Sequence, residues 1–321
     1  MNLEQENFLK KVIPKYNLTD NLGLVKDALY KPSHLVSSIL KESSSEDLSI
    51  LKSIYYSESP SYSKQLTENF KGRKSPILTL VTSVFKGDLY IEEFLRNTVS
   101  QIGFESYELI LVDCASPGNE KKVIDRYMES HPNIRYIRLE KDPGLYEAWN
   151  MGVREAQGIY ISNANLDDRK SPAYFSLLLQ ELQSSNFDFI SSLFWVCPKL
   201  PEVDIKDYPV VWYQDSPAEL SYFDFFKADD QKSKLVDQCL LGPFPIWKKS
   251  LHEELGFFKE ADYGPSSDYE FWLRAVSIGA AGMFYKVPLG FYLRNPKSYA
   301  RVNDPGHFTS KIVEKYSNIK I

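Results

Sequence analysis

Cysteine is scarce in this 321-residue chain: Cys114, Cys197 and Cys239 lie far apart and form no CxxC pair. An odd, scattered set argues against a disulfide framework or a zinc ribbon and fits reduced thiols in the cytoplasm. Histidine is as sparse, with four residues and no HExxH pair, and no GxSxG turn occurs. Zincin and serine-hydrolase chemistry are thereby set aside. Long apolar runs are missing too. The longest stretches without Asp, Glu, Lys or Arg, 156–166 and 275–285, have eleven residues each, against the ~18 needed to span a bilayer. The N-terminus, MNLEQENFLKKVIPKYN, has acidic residues ahead of its basic ones and no apolar segment, so it does not read as a secretory signal. These absences predict a cytoplasmic chain without a transmembrane helix. Excess positive charge is also lacking: 38 Lys and Arg against 43 Asp and Glu give a net charge of −5, which offers no general electrostatic reason to bind nucleic acid.

What is present is a core. With 43% hydrophobic and 14% aromatic residues, the chain can bury a sizeable interior, and its length is about twice the ~150 residues of a typical domain. Residues 1–75 carry a net +2 and residues 76–321 a net −7. In the first part Leu3, Phe8, Leu9, Val12 and Ile13, and later Leu48, Ile50, Leu51 and Ile54, recur at helical spacing between prolines and serine clusters. That pattern predicts a small helical extension over 1–75, ending in the linker KGRKS, which either covers the main domain or pairs with another copy.

From Pro76 short β-rich runs alternate with amphipathic segments. ILTLVTSVF (77–85), YELILVD (107–113), IRYIRL (134–139), GIYISNA (158–164) and FDFISSLF (187–194) read as strands; 91–101, 119–129, 146–156 and 172–185 read as helices. Such alternation predicts an α/β fold with a mainly parallel sheet and helices on both faces, over 76–301, with 302–321 as a C-terminal tail. Ligands bind such sheets at the carboxyl ends of the strands. The first βα turn, VFKGDLY, has one glycine, so a dinucleotide fingerprint is absent. The strand ends offer acid instead: Asp113 closes the second strand and Asp167 and Asp168 follow the fourth. Clustered carboxylates repel unless a cation or donor shares the site, and a Mg²⁺ or Mn²⁺ ion with a phosphate ligand would supply that. Helix capping or loop solvation would account for the same two residues from spacing alone.

The run 76–301, about 70% of the chain, holds TSVFKGDLYIEEFLRNTVSQ (82–101), VDCAS (112–116) and DPGLYEAWNMGVREAQGIYISNANLDD (142–168), and on these stretches it resembles family 2 glycosyltransferases of the GT-A, Rossmann-like fold. TSVFKGDLYIEEFLRNTVSQ (82–101) looks like that family's first strand and helix, and LILVDCASPGNEKKVIDRY (109–127) like its VDxxS segment. KDPGLYEAWNMGVREAQGIYISNANLDD (141–168) is similar to the subgroup pattern DxGIYDAxNxGxxxAxGxxIxxxNxDD at nine or more fixed positions in order. GPFPIWKKSLHEELGFFKE (242–260) and SSDYEFWLR (266–274) resemble the later turn, GxFxE element and acceptor-side helix. The resemblance implies an inverting glycosyltransferase that moves a sugar from a nucleotide-diphosphate donor, UDP-sugar favoured, to a hydroxyl of a carbohydrate or lipid-linked acceptor. Thr82, Asp113, Asp142 and Asn165 would bind the nucleotide, and Asp167 and Asp168 would hold Mn²⁺ or Mg²⁺ on the diphosphate. Asp268 would be the catalytic base. Glu270, about 200° further around the helix, should face elsewhere. Arg274 and Trp212, the latter in the proline- and aromatic-rich stretch 196–241, are candidates for diphosphate or acceptor contact. Lys86, Cys114 and Asn165 depart from the family's commoner residues, which keeps a non-catalytic nucleotide-sugar-binding module as the alternative. Peripheral membrane contact and homo-oligomerisation through the N-terminal helices stay open.

Overall fold

In the computed structural model the described residues are 75–101, 106–171, 174–197, 200, 219–220, 239, 241–303 and 305–317. The helical extension expected over 1–75, and Trp212, lie outside them apart from Ser75. The first three strands, β1 (Leu78–Val84), β2 (Tyr107–Asp113) and β3 (Ile134–Arg138), pair in parallel, and β4 (Tyr160–Asn163) joins the other side of β1. Strands β1 and β2 are buried almost throughout, which is why they read as near-continuous apolar runs rather than as alternating ones.

Helices α1 (Ile91–Val99), α2 (Glu120–Met128) and α3 (Leu145–Glu155) connect these strands. The chain then continues through β5 (Arg169–Lys170), α4 (Tyr174–Ser184), β6 (Phe189–Cys197), β7 (Glu219–Leu220) and β8 (Ile246–Lys248). The last part holds α5 (Ser250–Leu255), α6 (Glu260–Tyr263), a 3₁₀ turn (Gly264–Ser266), α7 (Ser267–Ser277), β9 (Gly282–Leu293), α8 (Tyr299–Val302) and α9 (Pro305–Tyr316).

The sheet runs β3-β2-β1-β4-β8-β6-β9-β5, with β7 on β6. Strand β8 is antiparallel to both β4 and β6, and β9 is parallel to β6. Six strands (β3, β2, β1, β4, β6 and β9) therefore point one way, which is the mainly parallel sheet expected. On one face Leu80, Val84, Leu109 and Leu111 pack with Ile91, Phe94, Leu95 and Ile124 and with the apolar side of α4. On the other, Val81 and Ile161 meet Tyr146, Trp149 and Val153 of α3, joined by Trp247, Phe258, Phe271 and Trp272. Gly152 lets α3 lie against β1, since a Cβ there would stand 2.3 Å from a Val81 methyl.

Chain order reverses between β1 and β4, so their carboxyl ends flank the crevice where open α/β sheets bind ligands. The stretch read as a tail contains α9, whose Ile312 and Tyr316 are buried against Tyr263, Tyr269 and Leu273.

Candidate active site

Asp113 ends β2 and is 1% exposed. Its Oδ1 accepts the Ser116 N–H at 2.8 Å; its Oδ2 accepts Arg138 Nη1 at 2.6 Å and the Tyr136 hydroxyl. Burial, then the bond to Asp113, pushes the Tyr136 phenol up to about 12. Ser116 belongs to a latch between the first two βα loops. The Ser116 hydroxyl donates to Glu120 Oε1 at 2.7 Å and accepts the Lys86 N–H at 2.9 Å, while the Gly87 N–H donates to the same Glu120 oxygen at 2.5 Å. Asp88 does not cap α1, as its position before the helix suggests; it accepts the Asn119 N–H at 2.6 Å instead. The bend of each loop falls on a residue with positive φ, Lys86 at 51° and Ala115 at 53°, a region costly for side chains with a Cβ.

Thr82, expected to line the nucleotide pocket, lies inside β1. It is fully buried, two residues before Val84 on the same face of β1, and its hydroxyl has no hydrogen-bond partner. Its neighbour Ser83 is the partly exposed residue of this strand.

Beyond β4 the backbone turns through Asn165–Asp168. Asn165 Nδ2 donates to Asp168 Oδ2 at 2.8 Å, and the Leu293 N–H at the end of β9 donates to Asp168 Oδ1 at 3.2 Å. Burial, and then the neighbouring Asp167 charge, push the Asp168 carboxyl up to about 7. Asp167 is also raised by burial, against a hydrogen bond from the Asn295 side chain. Lys170, buried beside them, has its Nζ 5.1 Å from the Phe244 ring centre.

Two adjacent carboxyls, one raised to about 7, are hard oxygen donors whose ionised forms are compensated only in part by their hydrogen bonds and by Lys170 and Arg169. This donor set fits a divalent ion such as Mg²⁺ or Mn²⁺, which takes one or two protein carboxylates and fills its other positions with phosphate and water. Among the described residues no third His, Cys, Asp or Glu completes an all-protein cage.

The other wall is built on α3. Asp142, exposed, accepts the Gly144 N–H at 2.9 Å and so shapes the turn into the helix. Gly144 has φ 97°, and a Cβ there would sit 2.5 Å from the Glu260 carboxylate. Glu260 needs that room. It accepts the N–H groups of Leu145, Tyr146 and Glu147 at 3.2, 2.9 and 3.0 Å, and the Tyr299 hydroxyl at 2.6 Å. The positive end of α3 is thus occupied by the protein's own anion.

Asp268 lies half-buried in the first turn of α7. Its Oδ1 accepts the Tyr146 hydroxyl at 2.8 Å and the Tyr269 N–H at 2.8 Å. Burial raises its carboxyl above the ordinary range, with the Tyr146 bond acting in the opposite sense.

Glu270 points into a different environment and is 0% exposed. It pairs with Arg274 at 2.9 Å and Lys315 at 3.1 Å and accepts the Tyr316 hydroxyl at 2.7 Å. Burial would raise its carboxyl, but Tyr316, Arg274 and Lys315 together hold it below the usual range. Arg274 spends its remaining donors on the Leu255 and Phe257 carbonyls. It is a framework clamp here, and its guanidinium is not offered to a diphosphate or an acceptor.

The structure therefore places Asp113, Asn165, Asp167 and Asp168 at the carboxyl edge of the sheet, with Asp142 in the turn after β3 and Asp268 tied to α3 through Tyr146. Glu120, Tyr146 and Glu260 are the site residues that sequence reasoning passed over. For Glu260 a signal existed, the closing acid of GFFKE, and for Tyr146 the fixed tyrosine of the matched pattern in 141–168; Glu120 shows its role through its bonds to Ser116 and Gly87.

Known proteins agree with this architecture. The chain is 25% identical over 246 residues to the glycosyltransferase GlyG of Streptococcus pneumoniae serotype 4, covering 76% of this chain and 79% of that protein. Among solved structures it resembles S. aureus TarS 1-349 in complex with UDP-GlcNAc, with TM-score 0.57, 14% identity, and coverage of 76% of this chain and 68% of that one. It also resembles the mannosyltransferase PcManGT from Pyrobaculum calidifontis in complex with GDP-Man and Mn²⁺, with TM-score 0.50, 16% identity, and coverage of 78% and 69%. At such identities the structural likeness shows the shared GT-A fold. A sequence profile described as Glycosyl transferase family 2 matches residues 79–256, more than half of the chain. With that match lying over the sheet and its acidic edge, the chain belongs to glycosyl transferase family 2.

Proposed function

We propose that the protein is an inverting, metal-dependent glycosyltransferase of surface polysaccharide or glycoconjugate synthesis that uses a UDP-sugar donor. The observation that supports it best is the turn after β4 that sets the adjacent carboxyl groups Asp167 and Asp168 at the carboxyl edge of the sheet, with Asp168 held by Asn165 and the Leu293 N–H. Asp113 accepts the ring N–H of uracil on the lone pair that Ser116 leaves free on Oδ1, while Arg138 and Tyr136 hold the carboxylate in place. Asp142 and Asn165 line the path from the base to the diphosphate, and Asn165 orients Asp168. Asp167 and Asp168 would hold Mn²⁺ or Mg²⁺, which when bound neutralises charge on the diphosphate leaving group. Asp268 takes the proton of the acceptor hydroxyl as that oxygen attacks the anomeric carbon. The TarS complex with UDP-GlcNAc and the PcManGT complex with GDP-Man and Mn²⁺ support a nucleotide-sugar donor and a metal, and their two nucleotides make donor choice the first thing to measure.

The test is a thermal-shift screen of UDP, GDP and their sugars with Mn²⁺ and with chelator, followed by release of free sugar from the best ligand. Metal-dependent stabilisation by a UDP-sugar with slow sugar release is expected. Stabilisation without any release would leave a binding module, and no stabilisation by any nucleotide would refute donor binding at this edge.

A further inference from the structure

Tyr146 has a hydroxyl that packing alone does not require. Its ring lies against Trp149, with centroids 5.0 Å apart, and against Phe258 at 5.6 Å, contacts that phenylalanine would make equally well. The N–H of Tyr146 is fastened by Glu260 at the start of α3. Its hydroxyl crosses about 120 positions of sequence to the junction of the 3₁₀ turn and α7, where two acceptors await one proton: Asp268 Oδ1 at 2.8 Å and the Pro265 carbonyl at 3.0 Å. A buried hydroxyl with two alternative acceptors stays paired in both protonation states of its carboxylate neighbour.

We propose that Tyr146 is the positioning residue of the base: its phenol holds Asp268 Oδ1 in place, which leaves Oδ2 to take the acceptor proton. This rests on the reading of Asp268 as the base. In the transfer step the acceptor oxygen bonds to the anomeric carbon, its proton passes to Asp268 Oδ2, and the anomeric carbon–oxygen bond to the diphosphate breaks with its electron pair leaving on the nucleotide. Once Asp268 is neutral its claim on the phenol weakens, and the Tyr146 proton turns to the Pro265 carbonyl. No buried group is stranded at any stage.

Among the described residues, two titratable groups interact with Asp268. Tyr146 on α3 is pushed far above neutrality by burial and by the Asp268 charge. Cys239, in the segment before β8, is exposed by surface area yet densely surrounded, and burial followed by the Asp268 charge raises its thiol well above the ordinary range. Neither changes charge where the carboxyl titrates. Glu270, Arg274 and Lys315 form a separate, mutually neutralised group around the Glu270 side chain.

The experiment compares the native chain with Tyr146→Phe and Asp268→Asn. Hydrolysis of UDP-GlcNAc, UDP-glucose and UDP-galactose in the presence of Mn²⁺ is followed from pH 5 to 9. Tyr146→Phe should keep donor affinity and melting temperature while lowering turnover about tenfold near neutrality, and its acid limb should move up by about one to two pH units. Its turnover should climb back toward the native value at high pH, which a defect of folding would not do. Asp268→Asn should lose turnover at every pH. Retained turnover in Asp268→Asn removes the base, and this proposal with it. An inactive Asp268→Asn beside a Tyr146→Phe of native rate and native acid limb overturns the positioning role alone. Replacing Tyr146 by 3-fluorotyrosine, which preserves shape and makes the phenol a stronger donor, should shift the limb down even if Tyr146→Phe folds poorly; an unmoved limb counts against the proposal. Absence of turnover of all three donors by the native chain removes the reading on which it rests.

Discussion

Replacing Glu270 by Gln should damage stability and spare chemistry. The carboxylate is fully buried and satisfies three donors on two helices: the Arg274 guanidinium within α7, and the Lys315 ammonium and Tyr316 hydroxyl of α9. The amide fills the same volume, so no cavity forms. It presents one acceptor oxygen where the native residue has two, and its NH₂ group faces donors. Lys315 is nearly half exposed, so its pairing contributes at most about 1 kcal/mol. The pair with Arg274, 12% exposed, dominates. Removing one partner of a largely buried pair costs about 3–5 kcal/mol, reduced here because Arg274 keeps its bonds to the Leu255 and Phe257 carbonyls. We expect about 3 kcal/mol, which for a domain of this size lowers Tm by roughly 6–12 °C. Scanning calorimetry would measure the loss. Donor affinity and turnover, taken at a temperature well below both transitions, should stay within about twofold of native. An unchanged Tm together with collapsed turnover would refute the argument and move the base to Glu270.

Three further outcomes follow from other contacts. Asp167→Ala should abolish the metal dependence of UDP binding, and calorimetric titration with Mn²⁺ and with chelator would read equal affinities for the variant and unequal ones for the native chain. His252 is buried between Phe257 and Phe271, accepts the Trp247 indole N–H at 3.0 Å, and has its imidazole pushed down from 6.5 to about 4 by burial. Above pH 6.5 both folded and unfolded chains hold it neutral. As pH falls from 6.5 to 4 the unfolded chain binds a proton that the folded one refuses, so about 3 kcal/mol of stability is lost across that window; urea melts at pH 7.5 and 4.5 should show this loss shrinking in His252→Gln. Ala115→Gly should raise stability by about 0.5–1 kcal/mol, because its φ of 53° suits glycine, and urea midpoints would register the gain.

How legible was this molecule before its coordinates? Strands β1 and β2 announce themselves because a strand covered on both faces is apolar at nearly every position, and α1 to α3 show the 3.6-residue period. Asp113 and Asp167–Asp168 were found by placing acids at strand ends, an inference from topology rather than from contacts. Thr82 comes from a motif match, and such a match does not by itself say which face of a strand a residue takes, since adjacent residues face opposite ways. Tyr146 and Glu260 both stand at fixed motif positions, but what they hold does not follow from the motif, because hydrogen bonds reaching across more than 110 positions leave no periodic trace. Helix α9 escaped for a different reason: only a narrow strip including Ile312 and Tyr316 is buried, and the remaining polar residues resemble a solvated tail.

The grip of Glu260 on the first turn of α3 sets a rule for anyone recombining this protein with its relatives. A crossover placed between α3 and β8 would separate Gly144 from Glu260 and Tyr146 from Asp268. A foreign α3 with a side chain at the Gly144 position would strike the carboxylate, and a foreign partner lacking the acid would leave three N–H groups bare. Chimeras should therefore inherit both pairs from one parent, and libraries that exchange the second half of the chain alone will be enriched in dead proteins for reasons unrelated to substrate recognition.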